Sequence, residues 1–415
     1  MTERPTAQVG TGPRDRVTLV LFLVALAAGF GQFGAIASLN DVARHFGHVT
    51  SSGSLKSAVG LSGSVLGLGL GVLRLASLLA LPFASLADRW GRTRVMRRTL
   101  VVGLVATAVA ALSPSYWFFV LCFAFARPLL SAASTLVQVV TVELSSSATR
   151  IHRLVVMSAG AGGGAGISAI LHGVIRGPNS FRWLFALALI PVMAMAPLLG
   201  KVPEPDHRSR DGPLARLGAV PAQLRGRLAI VATMSFTVGL VTGPANGFAF
   251  VYAEGILKIS PHRVALVVAS SALTGVAGLL LSRRFSRTLG RRWTVAVGVV
   301  ATALTSTFAY SGGRFNFVIG YMVGVAAAGL LAPAASALST EIFPHTFRAT
   351  AAGWVVVAGV LGATAGLALF GWVGDVVHVS NVTSLRWPAM ATFLPLLPTM
   401  WLLRRLPESR GTELA

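Results

Sequence analysis

Arg127, Ser131, Ser134 and Gln138 fall at i, i+4, i+7 and i+11, one stripe of an α-helix. A guanidinium followed by two hydroxyls and an amide is a row of donors suited to an anion. It can hold a carboxylate or phosphate through two parallel N–H bonds. No acid accompanies it. Among the 13 acidic residues, those outside the tails, the central polar segment and the motif loop are Asp41, Glu143, Glu254, Glu341 and Asp375, all at the ends of apolar runs. Arg127 stands 16 residues before Glu143, and a second arginine, Arg74, stands 14 before Asp88. At 1.5 Å per residue these distances are roughly 24 and 21 Å, so both arginines lie deep in their segments. This is chemistry of binding, not catalysis. Cys122 is the only cysteine, so neither an intramolecular disulfide nor a cysteine metal cluster is expected. "GKV" at 200–202 lacks the upstream glycine and the hydroxyl of a phosphate loop. No cofactor and no enzyme activity are expected.

The elements that carry these residues are apolar. The chain has 415 residues, of which 54% are hydrophobic and 12% charged, with mean hydropathy +0.73. A membrane helix needs about 20 mostly apolar residues. Twelve runs meet that need: 17–39, 57–81, 95–113, 115–141, 153–175, 181–199, 228–251, 263–282, 293–310, 315–340, 349–373 and 386–403. Alternation with period 2 is absent, which argues against a membrane β-barrel. No small-residue cleavage site follows the first run, so it is expected to stay in the chain. The expected fold is an all-α membrane protein of twelve transmembrane helices.

The formal charge of +22 could suggest nucleic acid, but its distribution argues otherwise. Of the 35 Lys and Arg residues, 25 fall in the two termini and the even-numbered connections (2–3, 4–5 and so on), 8 in the odd-numbered ones and 2 inside helices. That asymmetry is the positive-inside pattern. It places both termini in the cytoplasm and leaves no case for a nucleic-acid partner.

The chain repeats itself. Gly91-Arg92 returns as Gly290-Arg291, 199 residues on, and Glu143 with Arg150 returns as Glu341 with Arg348 at an offset of 198. Arg182-Trp183, Pro191 and Pro203-Glu204 return as Arg386-Trp387, Pro395 and Pro407-Glu408 at 204. Equal helix numbers in one orientation make these parallel pseudo-repeats. The expected units are a six-helix bundle over 1–199, a cytoplasmic linker over 200–227 and a second six-helix bundle over 228–415.

The stretch "LADRWGRTRV" (86–95), with Asp88, Arg89, Gly91 and Arg92, resembles the loop 2–3 signature of the major facilitator superfamily. Ser85 or Ala84 stands where that signature has its first glycine. "TEIFPHTFRATAAGW" (340–354) and "LPESRG" (406–411) look most like the sugar-porter and metabolite–proton symporter branches. The resemblance implies alternating access and a conformational latch. In it, Asp88 would accept hydrogen bonds at a helix N-terminus near 349–353 in the other half. Arg92 would pair with Glu143, and Arg291 with Glu341, with Gly290, Arg150 and Arg348 completing the matched motifs. Asp88 aligns with Arg287 in the second copy, so the latch would be asymmetric.

The resemblance also implies that helices 1, 4, 7 and 10 line a cavity. Gln32, Thr242, Asn246, Asn316 and Tyr321 would then join the Arg127 stripe as substrate-binding candidates. Arg74 is another, ranked behind Arg127 because helix 2 is expected to face the cavity less. Helices 2, 5, 8 and 11 would form the sliding interface. Their glycines (60–71, 159–166, Gly359, Gly362, Gly366) read as close-packing positions. Proton coupling is likewise implied by the family. Sugar porters carry a helix 1 acid where this chain has Gln32, leaving Asp41, Glu254 and His172 as candidates.

The sequence therefore reads as a monomeric secondary active transporter in the cytoplasmic (inner) membrane of a prokaryote. Its substrate would be a small organic solute, best an organic anion or metabolite, and its partners that solute, protons and the lipid bilayer. The alternatives are a drug or amphiphile–proton antiporter and, from another class, a non-transporting membrane receptor or scaffold.

Overall fold

In lipid a backbone must satisfy its own N–H and C=O groups, and unbroken apolar runs do so as helices. A computed structural model describes residues 13–48, 55–145, 149–177, 179–200, 202–204, 221–344, 347–377 and 385–406. Most of the expected linker and the end of the last repeat (Pro407, Glu408) lie outside them. The spanning segments are α1 (Pro13–Ala37), α2 (Gly63–Trp90), α3 (Arg92–Leu112), α4 (Tyr116–Glu143), α5 (Arg150–Val174), α6 (Ser180–Ala186, then Leu189–Leu199), α7 (Ala222–Gly247), α8 (Pro261–Thr288), α9 (Arg291–Ala309), α10 (Arg314–Glu341), α11 (Arg348–Val376) and α12 (Arg386–Phe393, continued in short turns to Arg405). Among the described residues there is no strand.

Nine of these, α1–α5, α7, α8, α10 and α11, are long and apolar enough to cross a membrane. The other three expected spans fall on α6, α9 and α12. Pro395 and Pro398 remove donors from α12 beyond Phe393 and break its continuation into short turns. One expectation is corrected. The second apolar run was placed at 57–81, but α2 runs on through the motif to Trp90. Only Gly91 separates α2 from α3, at φ +101°, where a side chain would be strained. Leu289 and Gly290, the latter at φ +94°, separate α8 from α9.

The packing repeats as the sequence does. In the first half α1 packs on α5 and α3 on α4; in the second, α7 packs on α11 and α9 on α10. The halves meet through α2 on α11 and α5 on α8. Beyond α7 the chain winds into a π-helical turn, Val251–Ile256, which rests on the short helices Leu39–Phe46 and Leu55–Val59 of the first half. The face holding residues 91, 143, 204 and 406 is called here the terminal face. The face holding residues 41, 113, 180 and 254 is the opposite face.

Glycine makes the helix contacts possible. A Cβ on Gly164 of α5 would collide with the Leu26 carbonyl of α1, whereas Gly163 has nothing within 4 Å. Gly164→Val is therefore expected to cost about 1–3 kcal/mol as overpacking, read as a lower melting temperature in detergent. Gly163→Ala should leave the melting temperature near that of the parent, and equal effects of the two would contradict this packing.

Candidate functional site

Gln32 on α1 is the hub of the predicted stripe. Its Nε2 donates to Ser134 Oγ (3.0 Å) and, more weakly, to the Leu130 carbonyl (3.4 Å). Its Oε1 accepts from Ser131 Oγ (3.1 Å), and its carbonyl accepts from Arg127 Nη1 (3.4 Å). The stripe thus faces α1, and its hydroxyls are engaged. Gln138, one turn further, is exposed and stands apart from this group.

Arg127 keeps capacity in reserve. Its Nε is buried without a hydrogen-bond partner. It lines a small space with Arg74, Ile36, Leu70 and Leu73 from the first half and Gly243, Gly247 and Leu367 from the second. The expectation that Arg74 faces the cavity less is corrected. The closing of α2 onto α11 turns Arg74 into the same space as Arg127. Its guanidinium makes no hydrogen bond or ion pair among the described residues; only its carbonyl is engaged, by Ser77. The space left is about 10 Å³, no more than one water needs. Two cations therefore share one narrow space between the halves, and among the described residues no acid pairs with either. An intramembrane charge in that position is costly without a partner.

The second half adds a cavity of about 170 Å³ lined by Thr242, Asn246, Ser306, Tyr310 and Tyr321. Asn246 Nδ2 bonds within its own helix to the Thr242 carbonyl (2.9 Å), and Tyr321 stacks on Phe317 (5.7 Å between centroids). Asn316 does not join them; it donates to Ser311 Oγ (3.0 Å). A larger cavity of about 320 Å³, lined by Val231, Met234, Val238, Leu331 and serines, lies between α7, α10 and α11.

At the terminal face Arg92 pairs with both Glu143 and, at 3.0 Å, Asp88, while Arg291 pairs with Glu341. Arg348 Nε donates to the Phe343 carbonyl (3.1 Å). Arg89 is exposed, and the side chain of Arg150 lies outside the described residues. The expected bond from Asp88 to the start of α11 is corrected: its carboxylate turns back to Arg92 Nε (3.1 Å) and Nη2 (3.0 Å). The reason is the conformation. α2 leaves α11 beyond Leu79, and Ala80–Trp90 packs on α3 and α4 instead. Where sequence reasoning saw only a repeat marker, Glu204 accepts from the Thr93 and Arg94 amides (3.2 and 3.3 Å) at the start of α3. A carboxylate is stabilised there by free N–H groups and the helix dipole.

The halves are joined at the opposite face. Asp375, at the end of α11, accepts from the amides of Gly63 (2.7 Å) and Ser64 (2.8 Å) and from Ser64 Oγ (2.5 Å) at the start of α2. This is the contact expected of Asp88, with the helices exchanged and at the other face. The signal was an acid at the end of α11 and a serine-flanked glycine opening α2. The three coupling candidates also come together. Glu254 accepts from Asn40 Nδ2 (3.2 Å) and meets His172 Nε2 (2.9 Å), and His172 Nδ1 lies 3.5 Å from Asp41.

Two bundles of like packing are thus joined at the opposite face, with two cations between them in the membrane interior. The chain belongs to the Major Facilitator Superfamily, whose model matches residues 21–256 and again 228–414. It is a multi-pass membrane transporter and not an enzyme. The cis,cis-muconate transport protein of Acinetobacter baylyi is 23% identical over 393 residues, covering 89% of this chain and 90% of that one. A bacterial homologue of the human lysosomal transporter Spinster, in an inward-facing and occupied conformation, has the same fold (TM-score 0.76, 16% identity, 96% of this chain and 98% of that). So does the inward-open xylose transporter XylE from E. coli (TM-score 0.72, 17% identity, 97% and 98%).

Proposed function

We propose that this protein moves an organic anion, bearing one or two carboxylates, across the cytoplasmic membrane of a prokaryote by proton-coupled alternating access. The observation that carries the reading is the pair Arg74 and Arg127, facing one space between the halves with no counter-ion among the described residues. Parting of the halves would widen that space, and a carboxylate would complete each guanidinium. Muconate, in the name of the Acinetobacter baylyi relative, is a dicarboxylate, which supports the reading. The working unit is a monomer of two bundles, 1–199 and 228–415, joined by 200–227. The latch reading extends to both faces: Asp88 serves the terminal face and Asp375 the opposite one.

The test is calorimetric titration of purified protein with mono- and dicarboxylates and with their neutral amides. The acids should bind and the amides should not; binding of the amides alone would refute the anion reading. The apolar walls of the α7–α10–α11 cavity (Val231, Met234, Val238, Leu331) favour the second reading, an amphiphile exporter, and cationic amphiphiles belong in the same titration.

The charge pattern supports cytoplasmic termini, in which case the opposite face would lie outside. Asn179 and Gln223 are exposed at the opposite and terminal faces. In a Cys122→Ala background, Asn179→Cys should react with an impermeant thiol reagent on intact cells and Gln223→Cys should not. The reverse labelling would invert the topology.

A further inference from the structure

Glu254, His172, Asn40 and Asp41 form one buried cluster across the two halves. The side chains of His172 and Glu254 are 1% and 3% exposed, and that of Asp41 is 25% exposed. Ser180 Oγ donates to Asp41 Oδ2 (2.6 Å). The His172 ring stands edge-on to Phe250 (5.6 Å), which in turn meets Phe33 (6.0 Å), so one wall is apolar. The cations on the surrounding elements are engaged or stand aside. Lys258 Nζ donates to the Gly255 carbonyl, and Arg182 to the carbonyls of Ala111 and Ser113. Arg182 also meets His45, and Arg314 holds the Leu257 and Lys258 carbonyls. Arg44, Lys56, His262, Arg263 and, one turn beyond His172 and exposed, Arg176 also lie on or next to those elements. Among the described residues none of these pairs with Asp41 or Glu254.

The geometry points to a proton-binding site: we propose that one proton held by the His172–Glu254 pair ties the halves together at the opposite face. Without that proton, closure buries two carboxylates and leaves the lone pair of His172 Nδ1 facing Asp41. Buried carboxylates with no cation are strongly disfavoured. With the proton, imidazolium Nε2–H faces Glu254 and Nδ1–H faces Asp41, and the cluster carries one negative charge fewer. Burial also holds the Glu254 carboxyl above its ordinary value, against the pull of His172 and Asn40. Asn40 suits either state. Its amide donates to the carboxylate now, and its Oδ1, buried without a partner, can accept from a protonated Glu254 once the amide turns over. Opening separates Glu254 from His172 and exposes both to water, where the proton can leave. Closure therefore takes up a proton from the side that the opposite face meets.

The inference rests on the alternating-access reading, and its test separates the two. Spin labels replace Leu112 and Phe315, exposed near the opposite face in the two halves, in the full-length Cys122→Ala protein in nanodiscs. Electron–electron resonance distances are read from pH 5 to 9. For one proton the closed-to-open ratio is expected to fall by up to about tenfold per pH unit as pH rises. The double variant His172→Gln/Glu254→Gln should abolish that dependence, whereas His172→Gln alone leaves Glu254 to take up the proton on burial. Asp41→Asn should keep the dependence but move its midpoint to lower pH, because the imidazolium loses its second carboxylate. Asp375→Asn serves as a pH-independent opener. If Asp375→Asn lengthens the distance but pH does not, or if His172→Gln/Glu254→Gln keeps the parent's pH response, the proton site is wrong and alternating access stands. If neither the substitution nor pH moves the labels, both are wrong.

Discussion

Arg127→Gln is expected to lose binding of a carboxylate substrate and, at the same time, to raise the melting temperature of the ligand-free protein. Both effects have one cause. In the closed conformation Arg127 Nε is buried with no partner, and Arg74 brings a second cation to the same space. Glutamine removes an unpaired charge from a membrane interior, which stabilises the empty protein. With substrate present, the same change removes a charge-assisted, two-pronged contact. Truncating one partner of such a buried pair costs about 2–5 kcal/mol, roughly 30- to several-thousand-fold in Kd. Arg127→Lys keeps the charge without the fork and should fall between. Arg74→Gln should behave as Arg127→Gln does, since both face one space. Calorimetry gives the affinities and thermal unfolding gives the stabilities. A purely structural Arg127, needed for its bond to the Gln32 carbonyl, would lower the melting temperature and leave affinity intact; that pattern would rule out the anion site.

The second large effect is at the opposite face. Asp375→Asn keeps the size of the side chain but removes the charge that faces the amides of Gly63 and Ser64 and the Ser64 hydroxyl. An anion at a helix N-terminus and its charge-assisted bonds together contribute about 1–3 kcal/mol. That corresponds to roughly 5- to 150-fold in the ratio of closed to open opposite faces. The labels at Leu112 and Phe315 should report a longer, more populated distance. Asp88→Asn should act in the other direction, favouring the present conformation, in which Asp88 bonds to Arg92 of its own half and, among the described residues, to nothing in the other half. Parallel shifts from the two substitutions would contradict a pair of opposed latches.

Much of this molecule was legible from one dimension. The apolar runs located the spanning segments because lipid leaves the backbone few other ways to satisfy its polar groups. The repeat of Gly91-Arg92 as Gly290-Arg291, and of Glu143 as Glu341, pointed to the like packing of the two halves. The pairs Arg92–Glu143 and Arg291–Glu341 were implied by the likeness to a family, and the structure forms both. The stripe on α4 was readable because helical spacing alone sets which side chains share a face. That Gln32 would meet Ser131 and Ser134 was suggested only by the likeness to a family.

Other relations were decided in three dimensions. Arg74 and Arg127 lie on different helices, and only the closing of α2 against α11 brings them to one space. Glu204 carried only a repeat marker and Asp375 no motif; each acts by reaching a helix start far away in sequence, at Thr93 and at Gly63. His172, Glu254 and Asp41 were three separate candidates, since no spacing rule relates the end of α5 to the turn after α7. Asp88 shows the same limit from the other side. Its chemistry was legible, but its partner depends on which face of the carrier is shut. A sequence specifies residues for every conformation at once, whereas contacts between the two halves exist only in the conformation that brings them within hydrogen-bond reach.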